Sequence, residues 1–343
     1  MLVTPRRLVV FLVVVACVVV AIAGTTRTIG PLPPEHFTQQ LQSCPGATGN
    51  EPPNDAAAAD CIRDVLVRAD RLGSLISARR ALGELVGQKP ALHNSCHLAE
   101  HQTGELVLDD AGEAAGLLAE NSENICSWGF GHGVLETFGK MTPSRQQWAS
   151  VIKVCQELAG KETYSLCADG LGHAAWDAAK TIPGASERCE ELAEPAAVNA
   201  CAGGVLMQRF RPAERRGAPS PALPELKGFC DKQWPKSASS ASFVGCAAGL
   251  GYVVAMGLVS DRVAAVVEGS TRTSAIQLDA ARAAQSGLTV ALAVCVSLQQ
   301  NADDCVVTLI QHLPRHQLTD LSAMTELCAV MPERWHMSCA ANG

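Results

Sequence analysis

Cysteine spacing constrains this 343-residue chain more than any other feature. Of its 15 cysteines, Cys17 lies in an N-terminal apolar run, and the others are even in number, as a complete disulfide framework requires. Most fall into pairs ten to sixteen residues apart: Cys155/Cys167, Cys189/Cys201, Cys230/Cys246, Cys295/Cys305 and Cys328/Cys339. The first of a pair tends to close a helical pattern, as in Val151-Ile152-Lys153-Val154-Cys155. The second tends to open the next, as in Cys167-Ala168-Asp169-Gly170. The end of one helix and the start of the next lie close in a helical hairpin, within the roughly 4.4–6.8 Å between Cα atoms that a disulfide needs. Cys44/Cys61 nearly fits the scheme. Cys96 and Cys126, left over and both at helix starts, are expected to pair with each other. So many paired cysteines belong to an oxidising space outside the cytoplasm.

The pattern between the cysteines is helical. Ile62, Val65, Leu66, Ala69 and Leu72 recur at spacings of three and four, with Asp55 as the expected N-cap. Leu75 to Val86 and Asp261 to Glu268 read the same way, and no alternating β-branched run is long enough to argue for a sheet. The expected fold is all-α, an array of disulfide-stapled helical hairpins over residues 56–343. Residues 25–55 read as a proline-rich linker, because Gly30-Pro31-Leu32-Pro33-Pro34 and Glu51-Pro52-Pro53 resist both helix and central strand. Residues 1–24 join Arg6 and Arg7 to an apolar run from Leu8 to Ala23. Cleavage after Ala23, retention as a membrane anchor, and lipoprotein processing at Cys17 stay open, and each exports the rest. Phe243 to Val259 is apolar and uncharged but carries four glycines, which favours a helix buried in the array over a membrane span.

A phrase recurs within this scaffold. Cys126-Ser127-Trp128-Gly129-Phe130-Gly131-His132 leads to Glu136, and Cys167-Ala168-Asp169-Gly170-Leu171-Gly172-His173 leads to Asp177. A looser copy runs from Cys96 through His101 to Glu105. In each, a histidine follows the cysteine by five or six residues and an acid follows the histidine by four, on the same helical face. His93, His97 and His101, spaced by four, share a face as well. With 34 acids in the chain, nine histidines should meet about one acid four residues on; four do, the fourth being His316 with Asp320. Later copies put Met207 and Tyr252 where His132 and His173 stand, so the scaffold itself does not require histidine there.

Imidazole and carboxylate on neighbouring helices suit zinc, iron, manganese or copper. The expected ligands are His93, His97, His101, Glu105, His132, Glu136, His173 and Asp177. The expected protein is exported, tethered to the membrane by its N-terminal segment, and binds a transition metal there. A second reading is an extracytoplasmic scaffold or protein-interaction module whose histidines only pack and pair. A third is a metal-dependent hydrolase or oxidase, since His97-Leu98-Ala99-Glu100-His101 spells H-x-x-E-H with Glu100 as candidate base, although only those five residues match that zinc-peptidase motif. A net charge of −7 and the lack of a basic, aromatic-interleaved run argue against nucleic acid. Arg209, Arg211, Arg215 and Arg216 read as a solvated loop, and His312 and His316, split by Pro314, as another. No Cys-x-x-Cys, Cys-x-x-Cys-His or phosphate-binding loop is present.

Overall fold

The computed structural model describes residues 31–47, 55–159, 163–192, 194–210, 226, 228–253, 294–298 and 302–312. The described residues are helical with no strand. The main helices among the described residues are α1 (Glu35–Gln42), α2 (Asp55–Arg71), α3 (Leu75–Gln88), α4 (His93–Val107), α5 (Ala114–Glu120), α6 (Gly129–Lys140), α7 (Arg145–Glu157), α8 (Thr163–Ala179), α9 (Ile182–Glu190), α10 (Pro195–Phe210), α11 (Phe229–Gln233), α12 (residues 240–253) and α13 (Ala302–His312). Local chemistry sets several ends. Gly73, at φ +63°, takes the left-handed turn that closes α2. Ser144 and Gln147 form a capping box on α7, and the Thr181 hydroxyl caps α9.

Six disulfides staple the helices: Cys44–Cys61, Cys96–Cys126, Cys155–Cys167, Cys189–Cys201, Cys230–Cys246 and Cys295–Cys305. They mark a chain that folds in an oxidising, extracytoplasmic space. Cys328 and Cys339 lie outside the described residues, as do the N-terminal apolar run, the whole Arg211–Pro224 stretch, His316 and Asp320. No helix among the described residues is long and apolar enough to cross a membrane.

Two expectations change. Within the expected linker, residues 35–42 form helix α1, whose Phe37 and Leu41 are buried in the core. The prolines do not prevent it because Pro34 is the N-cap, where a missing N–H leaves no hydrogen bond unmade. Arg209, expected in a solvated loop, belongs to α10 and lies over the rings of Trp176 and Phe229, at 5.3 and 4.9 Å. Residues 243–253 of the long apolar stretch lie in α12, with Cys246, Ala247 and Leu250 fully buried.

One continuous apolar core links α1 to α13. Within it α4, α6, α8 and α10 pack in succession, each on the next. Glycine makes these contacts close. A Cβ on Gly133 of α6 would run into the His101 carbonyl of α4, and one on Gly172 of α8 into the Cys201 carbonyl of α10. Backbones so close bring side chains of three consecutive helices within reach of one another.

Candidate metal centre

The site is built on α4, α6 and α8, with α6 in the middle. The chain enters α6 through a left-handed turn: Cys126, Ser127 and Trp128 have φ of 50°, 52° and 57°. Each such residue costs about 1–2 kcal/mol for a side chain bearing Cβ, so the turn needs support. The Cys96 disulfide holds its first residue. His97 Nδ1–H donates to the Cys126 carbonyl at 2.8 Å, and the exposed His93 hydrogen-bonds through Nε2 to Ser127 Oγ at 3.1 Å. Trp128 is fully buried and meets the His132 ring edge to face, 5.9 Å between centroids. His93 and His97, expected as ligands, are placed as supports of this turn.

Beyond the turn, α6 directs Glu136 into the centre of the cluster. Glu136 is fully buried, and its Oε1 meets two imidazoles from opposite sides. His101 Nε2 of α4 stands at 2.9 Å and His173 Nδ1 of α8 at 2.8 Å. The outer nitrogens of those rings face two further acids. His101 Nδ1 lies 3.5 Å from Glu105 Oε1, and His173 Nε2 lies 3.6 Å from Asp169 Oδ2. His132 Nε2 donates to the Leu166 carbonyl at 3.1 Å and lies 3.6 Å from the same Asp169 oxygen. Its ring stacks on His173, 5.5 Å between centroids. Acid and imidazole thus alternate across three helices, from the half-buried Glu105 to the half-buried Asp169, with Lys140 Nζ 3.8 Å from Glu105.

His101, His132, His173, Glu105 and Glu136 are therefore brought together, and His97 borders them, its ring 5.9 Å from His132. Ligand atoms of His101, Glu105 and Glu136 all lie within 4.8 Å of one another. Asp177 is turned elsewhere. Its oxygens are held by Lys180 at 2.6 Å and by Gln208 of α10 at 2.7 Å. Glu100 is fully buried and gripped by Arg79, Nε to Oε1 at 2.7 Å and Nη2 to Oε2 at 2.9 Å. That arrangement gives no support to Glu100 as a water-activating base, because both oxygens are already engaged. Two residues escaped the sequence reading. Asp169 stands four residues before His173, and a search for acids on either side of each histidine would have found it. Arg79 sits 21 residues from Glu100 in another helix and leaves no local signal.

Burial and the nearby His173, His97 and His101 push His132 well below its ordinary value of 6.5. Burial pushes the Glu136 carboxyl up, but hydrogen bonds from His101 and His173, with their charges, outweigh it and hold Glu136 well below the usual carboxylate range. Both depressions have the same sign for stability. Below pH 6.5 an unfolded chain takes up the proton that buried His132 refuses, and below 4.5 it takes up the one Glu136 refuses. The stability these two groups contribute is therefore complete above about pH 6.5 and falls on acidification. In metal-free protein the His132 step amounts to at most about 2 kcal/mol between pH 6.5 and 5, at roughly 1.4 kcal/mol per unit. Guanidinium denaturation across that range checks it, with His132→Gln expected to flatten the slope. An equal slope in the variant would show that His132 is not the titrating group.

Fold and cluster together define an all-helical, disulfide-stapled protein with a buried His/carboxylate centre. No protein family, curated protein or solved structure matches the chain.

Proposed function

We propose that this protein is an exported helical-repeat protein, tethered at the membrane by its N-terminal segment, that binds a transition metal through His101, Glu105 and Glu136. The observation that carries the reading is the convergence of those three donors, from two helices, within 4.8 Å. An imidazole with two carboxylates suits zinc, iron, manganese or copper. His173 supports the site from the far side: its Nδ1–H, 2.8 Å from Glu136 Oε1, fixes the orientation of that carboxylate. Glu105 is half-buried and leaves a way in for the ion. The bound metal would supply a fixed positive charge and a Lewis acid at the α4–α6 seam.

The test is metal analysis of full-length protein purified without a histidine tag, as isolated and after reconstitution with zinc, iron, manganese and copper. At least one equivalent is expected in the wild type. Glu136→Gln should lower affinity by at least tenfold while far-UV circular dichroism stays helical. A chain that takes up none of the four metals would overturn the reading and favour the scaffold, in which the histidines serve packing and ion pairing alone.

A further inference from the structure

Four residues at the metal centre form two rungs between α4 and α6. His101 and Glu105 stand four apart on α4, and Glu136 and Lys140 stand four apart on α6, so each pair shares a helical face. The inner rung joins His101 Nε2 to Glu136 Oε1 at 2.9 Å, and its side chains are 1 % and 0 % exposed. The outer rung joins Glu105 Oε1 to Lys140 Nζ at 3.8 Å, and its side chains are 28 % and 47 % exposed. Exposure rises from the inner rung to the outer one, so the side of the centre that meets solvent runs past Lys140.

The backbone below Lys140 is fixed while its ammonium is not. A Cβ on Gly139 would strike the Ala174 backbone, so the last turn of α6 packs directly on α8. The 3.8 Å to Glu105 exceeds the roughly 2.7–2.9 Å of a charge-assisted hydrogen bond, and Lys140 has no closer ion pair among the described residues. A lysine in the last turn also suits the negative end of the helix dipole, but any outward orientation would serve that role, and this one turns back to Glu105.

The charges then favour an anion. A divalent ion on two carboxylates and a neutral imidazole carries no net charge, and the Lys140 ammonium leaves one positive charge at the mouth. Three protein donors also leave an ion an open position. An ion bound to Glu105 Oε1 at the roughly 2.0–2.2 Å of a zinc–carboxylate bond would stand at most about 6 Å from Lys140 Nζ. A carboxylate or phosphate can place one oxygen on the ion and another on the ammonium across such a gap.

We propose that the centre takes a small oxyanion, a carboxylate or a phosphate, between the open position of the metal and Lys140. Lys140 binds and orients the anion at the solvent side, and the buried inner rung holds the ion behind it. This ligand class presupposes the metal on His101, Glu105 and Glu136, yet it can fail while that metal stands.

Full-length protein is loaded with zinc or cobalt, dialysed, and titrated at low ionic strength with inorganic phosphate and, separately, with acetate. Calorimetry on the zinc form measures affinity, and the visible absorption of the cobalt form reports entry into the metal's shell. One anion per bound ion is expected in the wild type, with a shift of the cobalt spectrum and no binding to metal-free protein. A response to one anion alone assigns the class; a response to both makes it a general oxyanion site. Lys140→Gln should keep its ion and bind the anion at least tenfold more weakly, and Lys140→Arg should recover most of the affinity. Loaded protein that responds to neither anion would overturn the oxyanion site and leave the metal standing. So would a Lys140→Gln variant that binds as tightly as wild type, or metal-free protein that does. A chain that loads no ion would overturn both.

Discussion

Replacing Arg79 with methionine is expected to destabilise the protein by about 3–5 kcal/mol, one of the two largest effects among single substitutions considered for this chain. The guanidinium is 2 % exposed and forks onto both oxygens of the fully buried Glu100. Its remaining reach goes to the carbonyl and side chain of Asn121, at 3.1 and 3.2 Å, and its plane lies over the Phe130 ring. The pair therefore ties α3 and α4 to the segment leading into α6. Methionine fills much of the volume but leaves a buried carboxylate with no counter-charge, and that desolvated charge dominates the cost. The double variant Arg79→Met/Glu100→Leu removes both charges and should recover a large part of the loss. Urea denaturation followed by circular dichroism measures each, and a double variant no more stable than Arg79→Met would show that packing rather than charge sets the penalty.

Gly133→Ala is the second. By helix propensity alone the change should stabilise α6 by about 1 kcal/mol. The added Cβ, however, meets the backbone carbonyl of His101 and approaches the Glu105 amide, and backbone cannot swing aside as a flexible side chain would. Helix α4 must move off α6, with an expected net loss of about 1–3 kcal/mol. The displacement falls on His101, so metal affinity should drop together with stability. Gly116→Ala is the control: nothing lies within 4 Å of its Cβ position, and it should gain about 0.5–1 kcal/mol. If both alanines stabilise equally, the α4–α6 contact is looser than described.

Much of the scaffold is legible in the residues taken singly. Spacings of three and four predict helices, and cysteine spacing predicts which cysteines meet, because a hairpin brings its two ends together whatever the rest of the chain does. The linker reading erred at α1 because proline was weighed as a breaker without regard to its place at the helix start, and because Phe37 and Leu41 make a short apolar face only when there is a core to receive it. The cluster was legible as a set of segments. The copies at Cys96, Cys126 and Cys167 do supply α4, α6 and α8, and His101, His132 and His173 do converge.

The pairing inside the cluster was not legible. The four-residue spacing pointed each acid at the histidine of its own helix, and only Glu105 stays with His101, at 3.5 Å. Glu136 bypasses His132 for His101 and His173 on either side, Asp177 goes to Gln208 and Lys180, and Asp169 takes the place near His173. The sequence by itself determined the helices, the staples and the three segments that bear histidine and acid, since those follow from contacts a few residues apart along the chain. Only the tertiary structure decided which acid each imidazole faces. That choice depends on the rotation and offset of α4, α6 and α8 against one another, which their glycine contacts set across 30 or more residues of intervening chain.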